Sequence, residues 1–85
     1  MMASKSDDGI GGIIGALRDL ESDQRVPRNV KSKIASTIKV LEEESELSIK
    51  VNKALHELDE ISEDTNIQPD TRTQIWHIVA MLERV

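Results

Sequence analysis

Apolar residues recur along this chain at the three- and four-residue spacing that lines up one face of an α-helix. The first stripe runs from Ile10 to Leu20, and the second from Val30 to Leu41. The third lies between Val51 and Ile61, and the fourth between Ile75 and Leu82. The pattern therefore predicts four amphipathic helices.

Residues that start or stop helices fall between these stripes. Pro27 and Pro69 are tolerated in a first turn, so they place the starts of the second and fourth helices. Ser48 is the predicted cap of the third helix, because its hydroxyl can accept a free amide proton of the first turn. The second helix is predicted to end near Glu43, since the carboxylates of residues 42–46 oppose the dipole at a helix C-terminus.

The first helix is predicted to begin in a glycine-rich run, GIGGIIG, with Asp7 or Asp8 as its cap. Each interior glycine costs about 1 kcal/mol of helix propensity relative to alanine, so this helix should fray first. A phosphate-binding loop would need a preceding strand and a lysine at the right place after it. No strand is predicted before this run, and no lysine follows at that place. Close packing against a neighbouring helix through Gly11 and Gly15 is the expected use of the run.

The two halves of the chain match without a gap when the sequence is shifted by 41 residues. The caps, the apolar stripes and an aspartate in the turn all agree, which is the expected sign of a duplicated hairpin. The matched pairs include Asp7 with Ser48, Leu17 with Leu58, Asp23 with Asp64, Ile34 with Ile75 and Leu41 with Leu82. The predicted hairpins cover about residues 7–43 and about residues 48–85.

Two such hairpins can close on each other and bury all four apolar faces. We therefore predict an all-α fold, a four-helix up-and-down bundle built from two repeated αα-hairpins. Two HEAT-like repeats are the alternative, although a solenoid generally needs three or more copies. Residues 1–6 are expected to be a disordered lead-in, and residues 7–85 one domain, because so short a chain cannot build two cores.

Composition removes several kinds of function. The chain has no cysteine, which excludes disulfides, thiolate metal sites and cysteine nucleophiles and favours a cytoplasmic location. It has one aromatic residue, so a base-stacking platform is not expected. Its longest apolar stretch, residues 10–17, is too short to be a membrane helix and lacks the cleavage site of a signal peptide.

The formal charge of −5 argues against nucleic-acid binding over most of the surface. Arg25, Arg28, Lys31 and Lys33 form a local basic exception. Weak association with nucleic acid through these four side chains is therefore an alternative function.

The two histidines are candidates for a metal site. Neither has the Glu-x-x-His spacing of di-metal bundles, but His56, Asp59 and Glu60 could place three ligands on one face of the third helix. A small metal-binding protein is a further alternative, while an exposed polar face is the expected role of these residues. His77 lies almost opposite the apolar stripe of its helix and is expected to face water. We expect no cofactor, no metal and no catalytic residues.

Trp76 stands at the edge of the apolar stripe of the fourth helix. Two roles are open for it: filling a groove between helices of its own chain, or anchoring an intermolecular contact. Arg72 precedes it by one turn and can lie over the indole, and tryptophan and arginine are the usual anchors of binding hot spots. The equivalent position in the first half is Ala35, so a hairpin of this type does not require the tryptophan.

Three segments resemble a known family. They are VPRNVKSKI at residues 26–34, LDEIS at residues 58–62 and PDTRTQIWHIVAMLE at residues 69–83. Together they are similar to uncharacterised protein family number 0147, a group of short archaeal helical proteins. The resemblance implies a cytosolic four-helix bundle of unassigned activity and supplies no catalytic or binding residues.

These observations favour a non-enzymatic helical module that binds another protein or a second copy of itself. The homodimer and the adaptor are both open, and Arg72 with Trp76 is the predicted interface. No membrane partner is expected.

Overall fold

The computed structural model describes residues 9–85, which form four α-helices joined by short loops. The helices are α1 (Ile10–Glu21), α2 (Arg28–Glu42), α3 (Leu47–Ser62) and α4 (Pro69–Glu83). The predicted lead-in of residues 1–6 and the predicted caps Asp7 and Asp8 lie outside the described residues. Over the part that the structure describes, the all-α prediction is confirmed.

The helices pack as a closed ring. α1 contacts α2, α2 contacts α3, α3 contacts α4, and α4 returns to contact α1. Within residues 9–85 the diagonal pairs, α1 with α3 and α2 with α4, have no Cα atoms within 8 Å of each other. Two HEAT-like repeats would stack α3 on α1, so the predicted four-helix bundle is confirmed and the HEAT-like alternative is wrong. The body measures 38 × 22 × 19 Å, and none of the four helices is both long and apolar enough to cross a membrane.

The core is aliphatic and is built from the predicted stripes. Its buried members on the helices are Ile13, Leu17, Leu20, Val30, Ile34, Ile38, Leu41, Ala54, Leu58, Ile61, Ile75, Ile78 and Leu82. Val26 and Ile67, each just before a helix, close the core at the end where the two hairpins turn. Two threonines, Thr37 and Thr71, are also buried. Burial of this apolar surface is the main force that holds the ring together.

The two hairpins share many details at the offset of 41 residues. α2 and α4 begin and end at matched positions. In the turns, the amide of Asp23 donates to the carbonyl of Leu20 at 3.1 Å, and the amide of Asp64 donates to that of Ile61 at 3.0 Å. Each aspartate then accepts a hydrogen bond from the amide two residues further on. Superposition of the whole hairpins stays a prediction.

The predicted cap of the third helix is wrong. α3 begins at Leu47, with Glu46 in an extended conformation before it and no side-chain hydrogen bond to the first turn. The amide of Lys50 donates to the carbonyl of Glu46 at 3.1 Å, so helical hydrogen bonding starts two residues before Ser48. The physical reason is that the carboxylate of Glu46 is favoured by the helix dipole just before the first turn, so the helix starts there and the exposed Ser48 falls inside the first turn.

The predicted use of the glycines is also wrong. Gly11 and Gly15 are exposed, because the buried face of α1 is formed by Ile13, Leu17 and Leu20. A Cβ atom added to Gly12 or Gly15 would meet no atom within 4 Å. These glycines therefore face open solvent and do not bring a neighbouring helix closer.

Candidate functional site

Trp76 projects from α4 with 57% of its surface exposed. The expectation that it fills a groove of its own chain is therefore wrong. The reason is its angular position: Ile75 and Ile78 point into the core, and Trp76 is turned about 100° from Ile75 around the helix. Val79 and Glu83 follow it by three and seven residues, so they share its side of α4.

Arg72 has an internal role that the sequence did not predict. Its Nε donates to the carbonyl of Ser62 at 3.1 Å, and its Nη2 donates to the carbonyl of Asp64 at 3.1 Å. The last carbonyls of a helix lack intrahelical partners, so the guanidinium caps the C-terminal end of α3. Of the two predicted interface residues, Trp76 is the one left exposed.

A cleft of about 280 Å³ lies between α3 and α4, and its lining residue Val79 is one helical turn from Trp76. It is lined by Leu55, His56, Asp59, Val79 and Glu83. We call it the Asp59–Glu83 cleft. Its apolar lining is formed by Leu55 and Val79, which are half-buried, and the two carboxylates on its sides are exposed. Together with the indole of Trp76, these five residues form what we call the Trp76 surface.

The matched place in the first hairpin is filled by an ion pair. Nη2 of Arg18 lies 2.7 Å from Oε2 of Glu42, which joins α1 to α2. The residues 41 positions later are Asp59 and Glu83, so the second hairpin has a carboxylate where the first has the guanidinium. The residue one helical turn before each glutamate also differs in burial: Ile38 is 5% exposed, whereas its counterpart Val79 is only half-buried.

Asp59 and Glu83 as a facing pair were missed by sequence reasoning. The shift by 41 residues already placed Glu42 on Glu83, and it also places Arg18 on Asp59. That change from cation to anion was therefore available as a signal. The sequence could not show that these positions face each other across the hairpin.

The predicted metal ligands are only partly brought together. Nε2 of His56 lies 3.4 Å from Oε2 of Glu60, and both side chains are exposed. His56 and Asp59 both line the cleft that they share with Glu83. Residues 9–85 contain no group of three or more histidine, aspartate or glutamate side chains arranged to hold a metal ion.

The predicted basic patch is divided by the fold. Nη2 of Arg25 lies 3.2 Å from Oδ2 of Asp23. This hydrogen bond from Arg25 holds the pKa of Asp23 below its ordinary value of 3.8. Lys31 and Lys33 are two positions apart on α2, so they point about 200° apart. The patch does not form the continuous basic stripe that nucleic-acid binding uses.

Two other clefts lie on the bundle, each of about 360 Å³. One runs between α1 and α4 and includes Asp19 and His77, the latter exposed as predicted. The other lies at the end of the bundle near Leu47 and Val85, which are both exposed. Trp76 lines neither of them, and neither has a lining residue one helical turn from it on its own side of α4, as Val79 is in the Asp59–Glu83 cleft.

Comparison with known proteins finds relatives over the whole chain. The model of the Uncharacterised protein family (UPF0147) matches residues 1–85. A UPF0147 protein of Methanocaldococcus jannaschii is 43% identical over 75 residues, covering 87% of this chain and 81% of its own. One from Archaeoglobus fulgidus is 35% identical over 85 residues, covering 99% and 97%.

A solved structure has the same fold. The crystal structure of MMP1188, described as a protein of unknown function, is 37% identical and superposes with a TM-score of 0.88. The match covers 100% of this chain and 97% of that one. The names of these relatives state no activity.

Proposed function

Because this chain belongs to the archaeal uncharacterised protein family UPF0147, whose name assigns no activity, we propose a function from its surface. The protein is a non-enzymatic helical module that binds another protein through the Trp76 surface. The observation that carries the proposal is the 57% exposure of the chain's only aromatic side chain. Tryptophan is among the commonest anchors of binding hot spots.

The internal architecture supports an external role for Trp76. The matched position in the first hairpin holds Ala35, which is half-buried. A large apolar side chain in water gains little for the fold, and truncating it leaves no cavity in the core. The benefit of a tryptophan here is therefore expected from a contact outside the chain.

The polar side chains support the non-enzymatic part of the proposal. The hydroxyl of Ser62 donates to the carbonyl of Asp59 at 2.8 Å, and that of Ser22 donates to carbonyls of its own helix. His56 pairs with Glu60 on an exposed helix face. These groups serve as local helix contacts, whereas nucleophilic catalysis requires a nucleophile, a base and an orienting group in register.

Crosslinking from two exposed positions tests this proposal. A photoreactive phenylalanine analogue is placed at position 76 in one protein and at position 49 in another, because Ile49 is 46% exposed on α3. Each protein is irradiated in extract of the cells that naturally contain it, and adducts are identified by mass spectrometry. We expect a defined adduct from position 76 that is absent from position 49.

Competition then shows whether the indole carries the contact. Excess unlabelled protein should suppress the adduct from position 76, and the Ile49→Ala variant should suppress it equally well. The Trp76→Ala variant should suppress it at least tenfold less effectively, as expected for a hot-spot truncation. Equal competition by Trp76→Ala would refute the proposal. An adduct of twice the chain's own mass would assign the homodimer form.

A further inference from the structure

We propose that the Asp59–Glu83 cleft receives an arginine or lysine side chain from a basic segment of the partner protein. This inference rests on the proposed function, because it names the kind of partner that the Trp76 surface binds. It places the partner's cation between the carboxylates of α3 and α4, with the adjoining apolar part of the segment against Trp76.

The first hairpin shows what occupies such a site. The guanidinium of Arg18 reaches across the hairpin to the carboxylate of Glu42 at 2.7 Å. Helical side chains lean toward the N-terminus of their own helix. Arg18 and Glu42 are on antiparallel helices and therefore lean toward each other. Asp59 and Glu83 lie 41 positions after them in the sequence, and the cleft that they line is open.

The electrostatics of the open cleft favour a cation. Asp59 and Glu83 both line the cleft, so a positive group placed between them would be attracted by both carboxylates. A guanidinium or ammonium would regain the charge-assisted hydrogen bonds that Arg18 gives Glu42 in the first hairpin. Within the chain, Arg72 lies on the same side of α4, but its guanidinium is hydrogen-bonded to the end of α3.

The apolar parts of the cleft suit the long side chain that carries such a charge. Leu55 and Val79 are half-buried and can pack against the methylene stem of a lysine or arginine. Trp76 lies one helical turn from Val79 and offers an exposed ring to a neighbouring apolar or cationic side chain. A free metal ion would use neither feature.

Charge also decides against a second copy as the occupant. A symmetric dimer through this surface would place the Asp59–Glu83 cleft against the same cleft of its partner. The chain carries a net charge of −5, so its own surface does not supply the excess of cations that two facing clefts would need. A basic partner complements both the local and the overall charge.

The test uses two synthetic helical peptides that alternate leucine with a long polar residue. One contains arginine and the other contains citrulline, its neutral isostere. Binding to the full chain is followed through the fluorescence of Trp76, the only tryptophan, and its affinity by calorimetry. We expect the arginine peptide to change the Trp76 emission and to bind at least tenfold more tightly than the citrulline peptide.

Two variants distinguish the cleft from general attraction to an acidic protein. Asp59→Arg restores the arrangement of the first hairpin and should weaken the arginine peptide at least tenfold. Glu44→Arg changes the net charge equally in the exposed α2–α3 loop and should leave most of the affinity intact. The neutral double variant Asp59→Asn with Glu83→Gln should lose affinity as Asp59→Arg does, which covers any misfolding of the arginine variant.

The outcomes separate this inference from the proposed function. Equal affinity of the two peptides, or equal effects of Asp59→Arg and Glu44→Arg, would overturn the cation site. If excess wild-type protein still suppresses the adduct from position 76 when the cation site has been overturned, the proposed interaction module remains supported without a cation site. The proposal of a basic partner would also be overturned if the protein forms a symmetric dimer that is lost in Trp76→Ala and unaffected by Asp59→Arg.

Discussion

Replacing the exposed glycines of α1 by alanine should raise the stability of the protein, and the same replacement at the glycine before the helix should lower it. Gly12 and Gly15 lie on the solvent face of the helix, and a Cβ at either position meets no atom within 4 Å. Gly9 precedes the helix with a φ of 81°, in the left-handed region that disfavours residues with a side chain. We therefore expect alanine to stabilise the protein at the first two positions and to destabilise it at Gly9.

The magnitudes follow from the position of each glycine in the helix. Gly15 lies within α1, so alanine should add about 1 kcal/mol to the free energy of unfolding. Gly12 is in the first turn, where propensity differences are smaller, and we expect about half of that. In a domain of this size, 1 kcal/mol raises the melting temperature by about 4–8 °C. At Gly9, a left-handed alanine should cost about 1–2 kcal/mol.

Urea unfolding measured by far-ultraviolet circular dichroism is the appropriate assay. Trp76 is exposed in the folded state, so its fluorescence is a poor reporter of unfolding. The gain should appear in global unfolding, since Ile13, Leu17 and Leu20 tie α1 to the core. A decrease in stability for Gly15→Ala, or no loss for Gly9→Ala, would contradict this account of α1.

Three further predictions concern side chains that hold the helix ends and the seams. Replacing Arg72 by methionine keeps its stem but removes two hydrogen bonds to the end of α3, so urea unfolding should show a loss of about 1–3 kcal/mol. Thr37 is buried, and its hydroxyl lies 2.9 Å from the carbonyl of Lys33 and 3.1 Å from Oε1 of Glu57. Thr37→Val should therefore lower the free energy of unfolding by about 1 kcal/mol in the same assay. An unchanged urea midpoint would contradict this. The hydrogen bond from Arg25 lowers the folded-state pKa of Asp23, so its stabilisation is full above the ordinary value of 3.8 and is lost as the pH falls through the lower folded value. The melting temperature of wild type relative to Asp23→Asn should therefore decline in acid and stay level from about pH 5 to about pH 7.

The parts of the fold that sequence reasoning obtained are those set by strong local signals. Pro69 is the first residue of α4, and Pro27 immediately precedes α2. The apolar stripes give the buried faces because the helical period decides which side chains can share one core. The start of α3 was missed because the cap was assigned to the hydroxyl of Ser48, whereas the extended Glu46 precedes the first turn without a side-chain cap.

The surface was less accessible to sequence reasoning than the core. Gly11 and Gly15 suggest close packing by their size alone, and only the packing of α1 shows that they face solvent. Arg72 and Trp76 were paired by their helical spacing, although the guanidinium binds the carbonyl of Ser62 at the end of α3 and that of Asp64 in the following loop. Contacts between elements that are distant in sequence depend on side-chain direction, which periodicity does not provide.

The closure of the ring by α4 against α1 makes the linear order of the two hairpins irrelevant to the packing. A Cβ on Gly9 would lie 3.5 Å from Cγ2 of Val85, so the start of α1 and the end of α4 meet at one corner of the bundle. The loop from α2 to α3 makes the equivalent connection between the hairpins. The same core would form whether the chain joins α2 to α3 or α4 to α1. A circular permutation that exchanges these two connections would therefore leave every helix with the same neighbours.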